Sequence, residues 1–523
     1  MKKVFLSILL LVIPLLANAY DCQVDGIYYN LNSNEKTAEV TYKEKYDDSY
    51  TIYSDYSGAL VIPEKFTHDG VKYSVTSIGK DAFNGCTGLT SVNIPNSVTY
   101  IGSLAFAGCT NLASISIPNT VKTIGKGAFN RCLSLTSVTI PNSVTTIGDN
   151  AFFGCSSLTS VSIPNSVTTL GSFLFLNCRN LTSVTIGSSV TTIGERIFDE
   201  CFLLTTIEVD QGNSTFDSRD NCNAVIETSS NRLVAGCMNT IIPNTVTTIG
   251  KYAFVKCSGM ESITIPNSVT DIECGAFAYC TGLTSVSLSN SLTTLGESTF
   301  VGCSGLTSVT IPNSVTDIER GAFNGCTGLT SITIPNSVTS LGECVFVGCS
   351  GLTSVAISNS ITSIPYSTFY YCYSLTSVTI PNSVTSIGEL AFDRCSGLTS
   401  VTIPNSVTFI DRFAFTNCSK LKEVYCYAEK LPSIGKVSFD NSISNAILYV
   451  PASALDDYKS TEPWSLFGTI LPLPDETGIE NTARQITEVT DRYTLDGIKD
   501  SGTRKGLNII RMSDGRTKKV VVK

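Results

Sequence analysis

The sequence predicts a repeat solenoid that is rich in β-structure, with a parallel sheet and short helical turns built from 23-residue coils. Two observations lead to this fold class. Apolar residues alternate with polar ones over short segments that end, in most coils, at a Pro-Asn pair. A phenylalanine followed three residues later by a cysteine recurs every 23 residues, at Cys86, Cys109, Cys132, Cys155, Cys178 and Cys201 and, after one interruption, at Cys257, Cys280, Cys303, Cys326, Cys349, Cys372, Cys395 and Cys418. One such unit is too short to bury its own apolar face, so successive coils must stack on each other.

The coil that begins at Leu89 illustrates the first half of the predicted unit. Leu89, Val92 and Ile94 alternate with polar residues, which is the period of a strand with one buried face. Pro95 and Asn96 then turn the chain, because proline cannot donate to a ladder and asparagine tolerates turn geometry. We expect a second extended segment after this corner.

The second half of the coil is predicted to contain a short helical turn. Val98 and Ile101 return to the interior, and Ala105, Phe106 and Cys109 then share one face at helical spacing. The recurrent phenylalanine is expected to anchor the interior, and the recurrent cysteine to form a column of buried free thiols. Stacked coils lie about 4.8 Å apart, which is within disulfide reach, but parallel side chains have poor bridging geometry.

The array carries one insertion, at about residues 210–240, because one pair of recurrent cysteines is separated by 56 residues in place of 23. Two candidate strands, Asn223–Thr228 and Arg232–Gly236, surround a polar turn and predict a hairpin that protrudes from the edge of the solenoid. This hairpin is either a docking element or a tolerated excursion. Cys222 and Cys237 are the candidate disulfide, because both fall in the insertion on strands that would be hairpin partners.

The segments outside the coils divide the chain further. Lys2 and Lys3, a short apolar run and the small residues around Ala19 form the pattern of a secretory signal peptide. The strand-like runs that follow and the segment around Trp464 suit caps over the two open ends of the solenoid. The expected regions are a signal peptide over residues 1–19, an N-terminal β cap over 20–77, the solenoid over 78–426, a C-terminal cap over 427–474, a linker over 475–491 and a small β module over 492–523.

Composition argues against several classes of function. A net charge of −9 without a basic stripe argues against a nucleic-acid partner. The single histidine, His68, is expected in a solvated turn, so Cys-His catalysis would depend on it alone, and no close Cys-x-x-Cys pair indicates a zinc site. We therefore predict no enzyme, no metal and no cofactor. No later apolar stretch approaches the length of a membrane-spanning helix, so we predict no transmembrane segment.

Hydroxyl groups line the outward positions of the predicted strands. They either contact a repetitive polymer such as a polysaccharide or are polar residues that suit a solvated sheet. The pairs are Ser137 and Thr139, Ser160 and Ser162, Ser308 and Thr310, Ser331 and Thr333, Ser377 and Thr379, and Ser400 and Thr402.

An aromatic patch interrupts this uniform surface. Its tyrosines occupy positions that other coils fill with small or polar residues, and the next coils add two arginines and a phenylalanine near the same rim. Exposed tyrosines and arginines are frequent binding hot spots; the alternative is that the rings lie flat on neighbouring coils. The patch comprises Tyr366, Tyr370, Tyr371, Tyr373, Arg394, Arg412 and Phe413.

Two segments resemble known families. The units LTSVTIPNSVTTIGDNAFFGCSS (135–157) and LTSVTIPNSVTDIERGAFNGCTG (306–328) resemble the BspA-type leucine-rich repeat family of bacterial surface proteins. This resemblance implies a leucine-rich repeat solenoid that acts in adhesion and protein binding at the cell surface, with no catalytic motif. The ending GLNIIRMSDGRTKKVVVK resembles the sorting domains that type IX secretion recognises in Bacteroidota-like bacteria, with strands expected at Arg492–Leu495, Gly506–Met512 and Lys518–Val522.

The favoured hypothesis is an exported, non-catalytic leucine-rich repeat protein at the cell surface or outside the cell, with the periplasm as an open alternative. Its expected partners are host extracellular or microbial surface macromolecules, with protein preferred to glycan. A polysaccharide-binding module is the alternative hypothesis. An enzyme is the third, which the single histidine disfavours.

Overall fold

In the computed structural model, the described residues are 20–45, 52–53, 56–474, 489–493, 506–512 and 517–522. The predicted signal peptide over 1–19 lies outside them. The regular part of the chain is a stack of coils, most of which have one longer strand, one two-residue strand and a series of tight turns. The repeat solenoid predicted from the 23-residue period is thus confirmed.

The longer strand of most coils comes from the segment before the Pro-Asn corner. These strands pair in parallel with a shift of 23 residues, so that Ser91 faces Ser114 and Val92 faces Ile115. Their alternate residues are buried, as predicted. They span Gly58–Val61, Leu89–Asn93, Ser114–Ser116, Ser160–Ile163, Ser183–Ile186, Thr206–Val209, Ser262–Thr264, Ser285–Ser287, Ser308–Val309, Ser331–Thr333, Ser354–Ala356, Ser377–Thr379, Ser400–Ile403, Glu423–Cys426, Ile447–Val450 and Thr469–Pro472.

The predicted second extended segment is a two-residue strand after the corner. It forms a second parallel ladder, in which Ile101 lies between Ile78 and Ile124 of the adjacent coils. These strands span Tyr100–Ile101, Thr123–Ile124, Thr146–Ile147, Thr169–Leu170, Thr192–Ile193, Thr248–Ile249, Asp271–Ile272, Thr294–Leu295, Asp317–Ile318, Ser340–Leu341, Ser363–Ile364, Ser386–Ile387, Phe409–Ile410 and Ser433–Ile434.

The segment that ends at the recurrent cysteine contains tight turns and no helix in the described coils, so the prediction of a short helical turn was wrong. The Cys109 amide donates to the Phe106 carbonyl within the coil (3.2 Å), whereas the Phe106 amide donates to the Ala128 carbonyl of the next coil (2.7 Å). Leu104 and Gly108 have φ values of 56° and 70°, which an α-helix cannot contain. The turn segments therefore join adjacent coils through a third backbone ladder.

Phenylalanine rings form two continuous stacks in the interior, beside the turn segments. From Phe83 to Phe198, and again from Phe254 to Phe439, successive ring centroids lie 4.9–6.0 Å apart and the ring planes are within 13° of parallel. The interior position predicted for the recurrent phenylalanine is confirmed. The stack is interrupted only at the insertion, among the coils that the structure describes.

The recurrent cysteines lie next to the rings. The thiol of Cys109 donates to the Phe83 carbonyl at 3.0 Å, and the thiol of Cys132 donates to the Phe106 carbonyl at 3.1 Å. Burial raises the pKa of Cys132 well above its ordinary value, so its reactive thiolate form is scarce. The twenty cysteines all lie in the described residues, and no disulfide joins any of them.

We expect every one of the twenty cysteines to be alkylated when the purified chain is denatured without reductant, because none of them forms a disulfide. Mass spectrometry of non-reduced peptides measures this. A ladder of bridges such as Cys109 to Cys132 would contradict the thiol column.

The insertion forms a hairpin, as predicted. The predicted protrusion from the edge was wrong, because the hairpin lies inside the solenoid. Its second strand pairs in parallel with Thr248–Ile249 and so continues the second ladder. Val225 and Ile226 are both fully buried, the first in the core of the N-terminal coils and the second in the core of the C-terminal coils. The elements of the insertion are strand Phe216–Asp217, the 3₁₀ helix Arg219–Asn221 and strands Ala224–Glu227 and Arg232–Gly236.

The disulfide proposed between Cys222 and Cys237 is not formed, and the strand register explains why. Ala224 faces Gly236 across the hairpin, so Asn223 faces Cys237 and the two cysteines are one residue out of register. Neighbouring residues of a strand point to opposite faces. Cys222 therefore lies in the core of the C-terminal coils and Cys237 in that of the N-terminal coils.

Both ends of the stack are covered. At the C-terminal end Phe439, Tyr458, Trp464 and Phe467 pack against each other, with the Tyr458 and Trp464 rings 5.2 Å apart. At the N-terminal end, Val71–Ile78 continues the second ladder. The N-terminal strands are Cys22–Val24, Ile27–Asn32, Thr37–Thr41, Glu44–Lys45, Ile52–Tyr53, Lys65–His68 and Val71–Ile78; the C-terminal helices are Asn441–Asn445, Ala452–Ala454, Leu455–Ser460 and Trp464–Leu466.

The last described strands, Val489–Tyr493, Gly506–Met512 and Thr517–Val522, form a three-stranded antiparallel sheet. The first of them begins inside the predicted linker (475–491), most of which lies outside the described residues. In the described part of the chain, no helix has the length and apolar character needed to cross a membrane.

Candidate binding surfaces

Three tyrosines and one arginine of the predicted patch are in direct contact. The rings of Tyr370 and Tyr371 lie 4.0 Å apart, and those of Tyr371 and Tyr373 lie 5.6 Å apart. The guanidinium carbon of Arg394, in the next coil, lies 5.2 Å from the centre of the Tyr371 ring, which is within the range of a cation–π interaction. We name Tyr370, Tyr371, Tyr373 and Arg394 the tyrosine–arginine patch.

Two members of this patch occupy a backbone position that suits glycine. Gly325 and Gly348, in the two preceding coils, have φ values of 75° and 68°, and the same repeat position holds Tyr371 at 64° and Arg394 at 60°. The left-handed region costs a side-chain-bearing residue roughly 1–2 kcal/mol. Other coils also hold larger residues at this position, such as Lys256 and Tyr279 in two adjacent coils, but the contact between an arginine and a tyrosine ring within this column is that of Arg394 with Tyr371.

The remaining predicted residues form a neighbouring group. Tyr366, Glu389 and Arg412 succeed each other every 23 residues along one edge, and Arg412 is paired with Glu389 at 2.7 Å. This ion pair raises the pKa of Arg412. Phe413 is 38% exposed and Tyr366 is 40% exposed. Tyr366, Arg412 and Phe413 therefore flank the tyrosine–arginine patch, and no ring contact joins them to it in the described residues.

A hydrogen bond within the patch changes the pKa of one of its phenols. A side-chain hydrogen bond with Tyr371, helped by partial burial, raises the pKa of Tyr370 to about 12. The Tyr370 phenol therefore stays neutral in neutral solution, where it can donate and accept hydrogen bonds. The patch thus presents amphipathic rings beside the guanidinium of Arg394.

The strand face carries the predicted hydroxyl ladders. The hydroxyl of Thr185 donates to that of Ser162 at 2.9 Å, so some of these groups satisfy each other. At one end of this face, Glu208 occupies the position that Thr185 holds in the preceding coil. At the C-terminal end of the array, Tyr425 and Tyr449 occupy the corresponding positions, with rings stacked 4.8 Å apart. Sequence analysis missed this aromatic pair, which the 23-residue period could have revealed for Tyr425.

In the described residues, side chains that could support catalysis are not grouped in one site. His68 lies at the end of a strand in the N-terminal cap, 3.4 Å from the Asp69 carboxylate. Within the described ranges, no group of three or more histidine, cysteine or carboxylate side chains is arranged to hold a metal ion.

A buried carboxylate beside the insertion was not predicted. Asp199 is 1% exposed, and its Oδ2 accepts a hydrogen bond from Nε of Arg196 at 2.7 Å. Burial raises the pKa of Asp199 to about 6, although Arg196 favours the charged form. The repeat could have revealed Asp199, because other coils carry an apolar residue at the same position, such as Val301 and Val347.

Replacing Asp199 by Asn is expected to change how stability depends on pH. Because the pKa of Asp199 is about 6 in the folded chain and 3.8 ordinarily, the folded state holds a proton that the unfolded state releases. This stabilisation is present below about pH 4 and is lost as pH rises through 6. Relative to Asp199→Asn, the wild-type unfolding free energy should therefore fall by about 2–3 kcal/mol between pH 4 and 7. Urea titrations of both chains measure it; parallel pH curves would show that the carboxylate is solvated.

Comparison with known proteins finds a matching repeat family and similar solved structures. The BspA type leucine-rich repeat region matches in six copies over residues 76–205, 235–353 and 345–456, more than half of the chain. A leucine-rich repeat protein from Bacteroides ovatus is 28% identical with a TM-score of 0.53, covering 87% of this chain and 100% of that chain. A leucine rich cell surface protein from Faecalibacterium prausnitzii is 32% identical with a TM-score of 0.49, covering 64% of this chain and 94% of that one. No functionally curated protein matches the sequence.

Proposed function

Because this chain belongs to the BspA-type leucine-rich repeat family, we propose that it is an exported, non-catalytic surface protein that binds other proteins through the tyrosine–arginine patch. The observation that carries this proposal is the contact between Tyr371 and Arg394, both held at a repeat position that suits glycine. Tyrosine and arginine are among the residue types that are enriched in protein-binding hot spots. The proposed partners are host extracellular or microbial surface macromolecules.

The proposed interaction uses rigid aromatic surface. Tyrosine has few rotatable bonds, so it contributes contact area at a low cost in conformational entropy. The three tyrosines are held against each other on a backbone that is bonded on both sides: the Tyr371 amide donates to Asp393 in the next coil at 3.1 Å, and the Gly348 amide donates to Tyr370 at 2.7 Å. The patch is therefore preorganised, and binding should require little rearrangement.

The experiment that tests this proposal exposes the folded chain to a panel of purified extracellular-matrix proteins and to a glycan array. The variant Tyr371→Gly with Tyr373→Ser restores the residue types found in the preceding coil, Gly348 and Ser350. Its unfolding free energy should change by no more than about 1 kcal/mol, because relief of the left-handed backbone offsets the lost ring contacts. Tyr279→Gly is the matched control, since Tyr279 is 50% exposed at the same repeat position.

A second candidate function is polysaccharide binding on the strand face. The stacked pair Tyr425 and Tyr449 favours it, because aromatic rings beside hydroxyl ladders suit the alternating apolar and polar faces of sugars. Binding to glycans, lost in Tyr425→Ala and retained in the patch variant, would support this function and contradict the first.

We also propose that the C-terminal sheet acts in sorting to the cell surface, as its sequence resemblance implies. Removing residues 492–523 is expected to leave the solenoid folded, because the solenoid and its caps extend only to about residue 474. Fractionation of cells that express the truncated chain tests this. We expect the chain to be retained inside the cell; unchanged surface exposure would remove the sorting role, and loss of the whole protein would make the sheet a structural element.

A further inference from the structure

The phenylalanine stack lacks one ring at the insertion. The Gly236 amide donates to the Ala253 carbonyl at 2.8 Å, and the Phe83 amide donates to the Ala105 carbonyl at 2.7 Å in the same way. Gly236 thus occupies the phenylalanine position of its coil. A Cβ atom on Gly236 would lie 2.1 Å from Cε1 of Phe254, so no larger residue fits on this backbone.

The turn ladder also opens at this place. In the regular coils a turn amide bonds to the next coil, as the Phe175 amide does to the Ile197 carbonyl at 2.9 Å. The Phe198 amide is the next one in this ladder, and within the described residues it donates to no backbone carbonyl of the following coil. A cavity of about 150 Å³ lies at the opening, with Phe198, Ala235, Cys237, Phe254 and Cys257 in its wall. Phe198 and Cys257 are only partly buried, so one side of the cavity reaches solvent.

The wall of the cavity includes an unsatisfied hydrogen-bond acceptor. Oδ1 of Asp199 is buried and has no hydrogen-bond partner among the described residues. Asp393 occupies the same repeat position, and its Oδ1 accepts bonds from Thr416 at 2.7 Å and from Asn417 at 2.8 Å, both in the next coil. At the insertion the next coil supplies no such donor. A donor from outside the chain would satisfy Asp199, since buried polar atoms are rarely left without partners.

Charged residues around the cavity are already paired. Lys251 lies 3.7 Å from Glu195, and Lys256 lies 2.5 Å from Glu200, so two ion pairs bridge the coils on either side of the opening. Arg196 pairs with Asp199. The remaining pair is Arg232 with Glu273, at 2.7 Å. A charged ligand would find no free counter-charge here, which favours a neutral one.

We propose that this cavity binds a neutral, single-ring aromatic compound that carries a hydrogen-bond donor. Its ring would lie in the cavity against Phe198 and Phe254, beside the space that the Phe254 ring takes at Gly236, and its donor would face Oδ1 of Asp199. The size agrees, since a protein cavity of roughly 150 Å³ accommodates benzene. This site is separate from the tyrosine–arginine patch and does not depend on the function proposed for that patch.

Phenol, benzene and cyclohexanol are the probes that test the site, titrated into the full chain and followed by calorimetry and by the thermal midpoint. Phenol should bind and raise the midpoint, and it should bind about tenfold more tightly than benzene, which lacks the donor. Cyclohexanol should bind more weakly than phenol, because its ring is not planar. Absence of phenol binding would overturn the proposal and assign the cavity to water alone.

Three variants locate the binding. Asp199→Val introduces the residue that Val301 provides at the same repeat position, and it should weaken phenol by about tenfold while leaving benzene unchanged. Asp393→Val is the matched control and should leave phenol binding unchanged. Ala235→Leu should abolish binding of both rings by filling the cavity. Equal losses in Asp199→Val and Asp393→Val, or full binding by Ala235→Leu, would contradict this location; the thermal midpoint without ligand shows whether each variant is folded.

Discussion

Phe323→Ala should lower the free energy of unfolding by about 3–5 kcal/mol, the range for truncating a buried phenylalanine at a site that cannot collapse. Phe323 is fully buried, and its ring lies 5.6 Å from those of both Phe300 and Phe346. The adjacent coils are fixed by backbone ladders on three sides, so they cannot close over the cavity that the substitution leaves. Urea denaturation followed by circular dichroism measures the loss.

Phe409→Ala is the control for this substitution. Phe409 lies in the same array but is 39% exposed, so removal of its ring should cost only about 1–2 kcal/mol, the buried fraction of the value for a fully buried phenylalanine. Equal and small effects of the two substitutions would show that the ring stack contributes little to stability.

Ile226→Asn should have an effect of similar size, about 2–5 kcal/mol, because it removes buried apolar area and buries an amide without a partner. Ile226 lies on the insertion hairpin and faces the core of the C-terminal coils, whereas Val225 faces that of the N-terminal coils. The hairpin is thus the packing layer between the two cores. Weakening it should also uncouple them, since coupling in a repeat stack passes only between neighbours.

The expected measurement for Ile226→Asn is a denaturation curve that separates into two transitions, while the wild type gives one. Ser229→Asn, in the exposed turn of the same hairpin, should leave the curve unchanged. A single, unshifted transition for Ile226→Asn would show that the hairpin does not couple the two cores.

Periodicity made most of the fold predictable. A side chain that recurs every 23 residues must lie in one column, so Phe106 and Phe129 could be assigned to the interior before any coordinates. The conformation between those columns was less accessible. The spacing of Ala105, Phe106 and Cys109 suits a helix, but positive φ at Leu104 breaks it, and leucine gives no sequence signal for a left-handed backbone.

The insertion shows the limit of the same reasoning. Its strands were recognised from their pattern, but whether a hairpin protrudes or lies within the stack depends on pairing with Thr248–Ile249, which has no local signal. The register of the hairpin likewise decided that Cys222 and Cys237 lie on opposite faces. The tyrosines could be found in the sequence because they depart from the repeat. The unsatisfied oxygen of Asp199 could not, because it results from hydrogen-bond donors that the next coil lacks.

The hypothesis that the tyrosine–arginine patch binds protein is tested most directly by equilibrium titration against the panel protein that the wild-type chain binds. Tyr371→Gly with Tyr373→Ser should raise the dissociation constant by at least about tenfold, since hot-spot residues each contribute about 2 kcal/mol or more. Tyr279→Gly should leave the constant unchanged. An unchanged constant in the patch variant, with an intact fold, would contradict the claim.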